Sequence, residues 1–222
     1  MPPNSRDAGY LWDMLQAARR LQEFTAGVSY QTSEAYQYLI LDVYELKEQK
    51  RYIYCILNLA QAMESFLSYS IKVRLIWQPF KNGVIKDKKE FNLVSSKLSK
   101  LFEVDTLSPL KSLFFKIYLN QIHFSSNCEI DDFLKKYGEY KNYKPSDEEI
   151  KKYPDLKTVN LFLKLRNTKF SKLRNKVVHK LSYRPTLQEV EECLEETRDI
   201  VFGLAARLEV KDHLYYLSNR NI

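Results

Sequence analysis

Three side chains close together in the chain have types suited to acid–base chemistry on a phosphate ester. Arg174, Asn175 and His179 lie within six positions, and His179 is one of three histidines among 222 residues. An imidazole titrates near neutral pH and can act as a general base or acid. A guanidinium holds phosphate oxygens through a bidentate fork, and an amide can orient the imidazole or donate to a phosphate oxygen. These residue types are compatible with cleaving a phosphodiester bond without a metal ion.

The segment that carries these residues is predicted to be one helix from Leu156 to Lys180. Apolar residues recur there at helical spacing, and no glycine or proline falls between Val159 and Ser182. On such a helix Asn175 and His179 are neighbours on one face. Arg174 and His179 differ in direction by roughly 140° and are about 7.5 Å apart along the axis. One copy therefore cannot easily direct both side chains at one atom, whereas two copies facing each other could line a shared groove.

The motif Arg174-Asn175-x-x-x-His179 resembles the R-x4-6-H motif of the HEPN superfamily. The segment 52–67 is similar to the earlier HEPN helix, in which an acidic residue, here Glu64, faces the motif helix. The resemblance implies an all-α, antiparallel HEPN-like bundle of four to five core helices with a helical and loop insertion. It also implies a metal-independent endoribonuclease that acts as a homodimer and leaves 2′,3′-cyclic phosphate ends. By this resemblance Arg174, Asn175, His179 and Glu64 are the expected catalytic residues.

Each of these assignments has a structural alternative. Glu64 lies among apolar residues, so it either orients Arg174 or His179 or is an edge residue that reaches water. Arg174 and His179 can belong to a basic, solvated helix end, where cations are favoured. The same basic face would bind an RNA backbone, and Arg166-Asn167 repeats Arg174-Asn175 eight residues earlier on nearly the same side. The residues expected to bind RNA are Arg166, Lys172, Lys176 and Lys180.

Composition restricts the class of protein. A net charge of +7 and a pI near 9.1 favour anionic partners without establishing nucleic-acid binding. Three cysteines without CxxC spacing argue against a disulfide framework or a zinc site and favour a reducing cytoplasm. No metal or cofactor motif is present, no secretory signal begins the chain, and no apolar run approaches about 18 residues. We expect a cytoplasmic protein without cofactor, metal or membrane segment.

Helical patterns cover most of the remaining chain. An amphipathic helix is predicted over 7–24, and a second opens at 32–34. The broad apolar side of this second helix is predicted to consist of Tyr38, Leu39, Leu41, Val43, Tyr44 and Leu46. The most apolar helix is predicted over 52–77, ended by Gln78-Pro79, with a buried face of Ile56, Leu59, Met63, Phe66, Leu67 and Ser70. Shorter helices are predicted over 91–102, 108–118, 130–136 and 146–152. Thr186-Leu187-Gln188-Glu189 forms a capping box that begins the last helix, 187–208.

Taken with the resemblance, these patterns imply a single HEPN-like domain over 1–222, in which 80–155 supplies additional helices and a variable insertion. The expected partners are RNA, a second copy of the chain, and an antitoxin or defence-system partner protein, in a prokaryotic toxin–antitoxin or anti-phage role. The alternative is a HEPN-like bundle that binds RNA, nucleotide or protein and cuts nothing, and a third is an accessory dimerisation subunit. The nuclease requires Arg174 and His179 to be exposed at a two-fold interface, which the binding module does not.

Overall fold

The computed structural model of the protein describes residues 35–102, 107–168, 170–180, 182–208 and 210, with the side chains of 99–102 excepted. The predicted helix over 7–24, the helix start at 32–34 and the chain after residue 210 lie outside this range. The described residues from 35 onward belong to one compact unit. No β-strand occurs among them, which confirms the all-α class. Whether 1–222 is a single HEPN-like domain stays a prediction.

The helices follow one another with short connections. In chain order they are α1 (Ala35–Glu48), α2 (Tyr52–Lys72), a π-helical segment (Val73–Trp77), α3 (Gln78–Lys81), α4 (Lys88–Phe102), α5 (Leu107–Leu119), α6 (Asn127–Lys135), α7 (Tyr137–Tyr140), α8 (Asp147–Lys151), α9 (Leu156–Asn167), α10 (Phe170–His179) and α11 (Leu187–Arg207).

Helix α2 is the centre of the bundle, and α1, α5, α10 and α11 all pack against it. All six residues of its predicted buried face are buried, which confirms the period read from the sequence. Aromatic rings fill the space between helices: Phe66 meets Tyr36 edge-on at 5.5 Å and Phe114 at 6.3 Å between ring centroids. Such pairs add to the stability gained from burying apolar area. Because Glu64 lies on α2, the helices near it are those that pack against α2.

The predicted stop at Gln78-Pro79 is wrong. The chain stays helical through Lys81, and Pro79 lies in the first turn of α3. Before it, the backbone N–H of Gln78 donates to the carbonyl of Val73, five residues earlier. Proline in the interior of a regular α-helix clashes with the i−4 carbonyl, and here Pro79 directly follows a wider π turn. The chain then turns at Gly83, whose φ of +74° favours glycine.

The predicted apolar side of α1 is also wrong in part. The buried residues of α1 are Ala35, Tyr36, Leu39, Ile40 and Val43. Tyr38, Leu41 and Tyr44 are exposed, at 54%, 61% and 38%. Apolar residues occur around most of this helix, so periodicity alone did not identify the face that contacts α2.

Candidate functional site

The predicted continuous helix from Leu156 to Lys180 is broken at Thr168. There the backbone is extended (φ −52°, ψ 130°) and ends α9. The hydroxyl of Thr168 donates to Glu196 Oε2 at 2.7 Å and accepts the backbone N–H of Phe170 at 3.2 Å. The second bond satisfies a donor in the first turn of α10, as a capping residue does. The motif therefore lies on a short helix that is separate from α9.

Three buried residues on one side of α10 hold it against α2. Phe170 is fully buried, and Leu173 and Val177 are 8% exposed. Their spacing of three and four residues gives one apolar stripe along the helix. Asn175 and His179 are exposed on the other side, and Arg174 is half-buried between the two sides. Burial of this stripe therefore determines that the amide and the imidazole face solvent.

Arg174 and Glu64 are brought into the same region of the α2–α10 contact. The positive charge of Arg174 acts to lower the pKa of the Glu64 carboxyl. The guanidinium Nη1 of Arg174 donates to Oδ1 of Asn175 at 3.4 Å, a long and weak bond. A catalytic role for Glu64, Arg174, Asn175 and His179 stays a prediction.

Glu64 is not an edge residue in open solvent. It is half-buried on α2, and its Oε1 accepts the backbone N–H of Leu107 at 3.1 Å, at the start of α5. Burial raises the pKa of this carboxyl, and the Arg174 charge and the Leu107 hydrogen bond act in the opposite direction. The carboxyl group therefore joins α2 to the start of α5 and lies within electrostatic range of Arg174 on α10.

Three exposed lysines lie on the motif helix or directly after it. Lys172, Lys176 and Lys180 are all exposed. The ammonium of Lys176 lies 5.4 Å from the centroid of the Tyr183 ring, within cation–π range. The hydroxyl of Tyr183 in turn donates to Glu189. Lys176 thus contacts the connection between α10 and α11. Lys172 lies on α10, and Lys180 directly follows that helix.

Arg166 lies on a different helix from the motif. It lies on α9, before the break at Thr168, and its Nη1 forms an ion pair with Asp147 on α8. The expectation that it shares a continuous helix with Arg174 is therefore wrong, although its role in RNA binding stays a prediction. Its backbone carbonyl also accepts from Lys111 Nζ at 3.2 Å.

Lys111 and Glu196 lie where α9 ends, before the motif helix, and sequence reasoning did not single them out. Lys111 is half-buried on α5; burial lowers the pKa of its ammonium, and the charge of Glu196 opposes that effect. Glu196 also accepts the hydroxyl of Thr168. The sequence did contain one indication for Lys111, because this lysine lies among the buried apolar positions of an amphipathic helix. The sequence could not single out Glu196, because it lies in the acidic run of α11 and no local feature distinguishes it from the exposed acidic residues beside it.

Other site types find no support in the described ranges. Within them, no group of three or more His, Cys, Asp or Glu side chains is placed to hold a metal ion. No described helix is long and apolar enough to cross a membrane. No family model matches the chain, and neither a curated protein nor a solved structure matches it. Any functional reading therefore depends on the residues themselves and on the resemblance of the motif.

Proposed function

We propose that the protein is a metal-independent endoribonuclease of the HEPN type, with a composite active site formed by two copies of α10. The proposed biological role is in prokaryotic toxin–antitoxin or anti-phage defence, with RNA as substrate. The observation that carries the proposal is the arrangement of α10. Its apolar stripe faces α2, so Asn175 and His179 are exposed together while Arg174 lies in the field of Glu64.

The residue types supply each step of the proposed cleavage. His179 of one copy accepts the proton of the RNA 2′-hydroxyl, and the 2′-oxygen forms a bond to phosphorus. The bond from phosphorus to the 5′-oxygen breaks, and the imidazolium of His179 in the second copy protonates that oxygen. Arg174 neutralises the charge that develops on the phosphoryl oxygens, and Asn175 orients the imidazole or donates to the phosphate. The products are a 2′,3′-cyclic phosphate end and a 5′-hydroxyl end.

Basic side chains around α10 support an anionic substrate. Lys172 and Lys176 are exposed on the same short helix as His179, and the exposed Lys180 directly follows it. They would contact phosphates that flank the scissile bond, and such contacts weaken as salt concentration rises. This expectation separates them from Arg166, whose guanidinium already has a carboxylate partner in Asp147.

A second candidate is a HEPN-like module that binds RNA, nucleotide or protein without cutting. The observation that favours it is the half-buried position of Arg174. An arginine that must grip the scissile phosphate needs a free fork, whereas this guanidinium donates to Asn175 and lies beside an acidic group. In this alternative Arg174 and Glu64 stabilise the α2–α10 contact.

The test is cleavage of a mixed single-stranded RNA in EDTA by the full chain. Wild-type protein should produce 2′,3′-cyclic phosphate ends, and His179→Ala should lose this activity by several orders of magnitude. Arg174→Lys keeps the charge but loses the fork and should also be strongly impaired. Lys157→Gln, which removes an exposed charge from α9, is the matched control. Cleavage that persists in His179→Ala would overturn the proposal, and RNA binding without cleavage in all variants would favour the binding module.

A further inference from the structure

A stripe of polar side chains runs along α2, the central and otherwise largely apolar helix. The polar stripe consists of Gln61, Ser65, Ser68 and Lys72, and each of these side chains is half-buried. Spacings of four, three and four residues place them on one side of the helix. Within the described part of the chain, none of the four side chains forms a hydrogen bond or an ion pair. We propose that the polar stripe binds the backbone of an RNA strand that extends from the motif helix.

Lys72 is a cation without a counter-ion in the described ranges. Its side chain is half-buried at the end of α2, and burial lowers the pKa of its ammonium group. No carboxylate of the described residues forms an ion pair with it. A partly desolvated charge without a partner is unfavourable, and a bound anion removes that penalty. The phosphate groups of a nucleic acid are anions of this kind.

The neutral members of the stripe are suited to the sugar and phosphate groups of RNA. The hydroxyls of Ser65 and Ser68 and the amide of Gln61 can each donate and accept hydrogen bonds. In nucleic-acid complexes such side chains contact phosphate oxygens and sugars. The ribose 2′-hydroxyl also donates and accepts, and this group distinguishes RNA from DNA. The stripe is therefore expected to prefer RNA over DNA.

A protein partner fits the stripe less well than RNA does. Protein interfaces obtain most of their binding energy from a few aromatic or arginine anchors that fill pockets on the partner. The stripe presents two hydroxyls, an amide and one ammonium, and it contains no aromatic or arginine side chain. Its chemistry matches a chain of sugars and phosphates, in which polar acceptors recur at regular spacing.

The stripe adjoins the carboxyl group that lies within electrostatic range of Arg174. Gln61 precedes Glu64 by three residues and Ser68 follows it by four, so both are neighbours of Glu64 on the helix surface. From Gln61 to Lys72 the stripe extends for roughly 16 Å along the axis. Lys72 lies about 12 Å beyond Glu64, so the carboxylate offsets little of the lysine charge. A strand with one phosphate at Arg174 therefore has the stripe directly beside it.

The proposal rests on the proposed function in taking RNA as the ligand, and the first test concerns its charge. Fluorescence anisotropy of labelled oligo-uridylate measures binding to the full chain in EDTA, with every protein carrying His179→Ala so that the RNA stays intact. Lys72→Gln should weaken binding about threefold or more at low salt. It should also reduce the slope of log K against log salt concentration by about 0.7, the value for one phosphate contact on a single strand. Lys157→Gln, which removes an exposed charge from α9, should change neither quantity.

The second test concerns recognition of the sugar. The double substitution Ser65→Ala and Ser68→Ala should reduce the ratio of RNA affinity to DNA affinity, measured with strands of equal length, and leave the salt slope unchanged. Ser96→Ala, which removes an exposed hydroxyl from α4, should leave the ratio as it is. The serine variant keeps the proposal testable if Lys72→Gln fails to fold. Stripe variants that bind RNA and DNA as their matched controls do would overturn the proposal.

Cleavage by proteins that retain His179 separates failure of the stripe from failure of the nuclease. If wild-type protein cuts RNA while Lys72→Gln and the serine variant bind and cut as their controls do, the stripe is excluded and the nuclease stands. If wild-type protein cuts nothing but the stripe variants bind RNA more weakly than their controls, the stripe is supported and the binding module is favoured. Absence of saturable RNA binding by folded protein would overturn the proposal for the stripe.

Discussion

The charge of Arg174 on α10 acts on the half-buried carboxyl group of Glu64 on α2. The two residues are 110 positions apart in the sequence and come within electrostatic range because α10 packs on α2. The carboxyl group also accepts the backbone N–H at the start of α5. Three helices thus converge on one acidic group, whether the site cleaves RNA or only binds it.

Glu64→Gln is expected to change how stability depends on pH. Burial raises the pKa of Glu64 above its ordinary value of 4.5, so the folded protein holds more protons than the unfolded chain just above that pH. The free energy of unfolding contributed by this group therefore falls as pH rises from about 4.5 through the folded pKa. Glutamine does not ionise, so the variant should gain stability relative to wild type across this window. Urea unfolding between pH 4 and 8 measures the difference.

Glu129→Gln is the control of opposite sign. Hydrogen bonds from Ser125 lower the pKa of Glu129 below 4.5, so its carboxylate favours the folded state above that pH and loses this effect as pH falls. Its replacement should make the protein less stable at neutral pH relative to acidic pH. A Glu64→Gln variant with the same pH profile as wild type would contradict the assigned environment of Glu64.

Thr168→Val is expected to destabilise the fold by about 1–3 kcal/mol. The substitution removes the hydrogen bond to Glu196 and the acceptor for the Phe170 N–H, and it leaves a half-buried carboxylate without this donor. Thr197→Val is the matched control: its buried hydroxyl has no hydrogen-bond partner in the described part of the chain. That replacement should be neutral or stabilising. Equal losses in the two variants, measured by urea unfolding, would show that the Thr168 contacts contribute little.

Local patterns predicted much of the fold. The capping box of Thr186 and Glu189 begins α11 as expected, with reciprocal hydrogen bonds at 3.1 and 2.8 Å. The spacing of the apolar residues correctly predicted the buried face of α2, because only one side of that helix is uniformly apolar and the neighbouring helices pack against α2. The helices over 80–155 were also anticipated, although α5 proved to be part of the core rather than an addition to it.

The failures share a physical cause, which is dependence on distant partners. The break at Thr168 depends on Glu196, 28 residues later, and no glycine or proline marks it. Pro79 continues a helix directly after a π turn, and no residue type signals that turn. For the site, the motif predicted which side chains lie on α10 but not that Arg174 would be half-buried while His179 is exposed. The nuclease activity and the family remain predictions.

Thr186→Ala is expected to lower stability by about 1 kcal/mol through the loss of the α11 cap. The hydroxyl of Thr186 accepts a hydrogen bond from the backbone N–H of Glu189, and the Glu189 carboxylate accepts one from the Tyr183 hydroxyl. Gln188→Ala, which removes an exposed polar side chain from the same turn, should change stability by less than about 0.5 kcal/mol. Thermal unfolding compares the two variants. A cap variant as stable as Gln188→Ala would indicate that the connection from α10 is held by other contacts.

Val178→Asp is expected to separate the proposed dimer. Val178 is 37% exposed on α10 and adjoins His179, so a two-fold contact through the exposed face of α10 would bury it. An aspartate there would place two like charges near each other in that contact, in addition to the cost of desolvating them. Light scattering should report a dimer for wild type and a monomer for Val178→Asp, with RNA cleavage lost in parallel. Leu93→Asp, which replaces a 56% exposed leucine on α4, should leave both properties unchanged. A Val178→Asp variant that remains dimeric would exclude this face as the interface. A monomeric wild type that cleaves RNA would exclude the composite site.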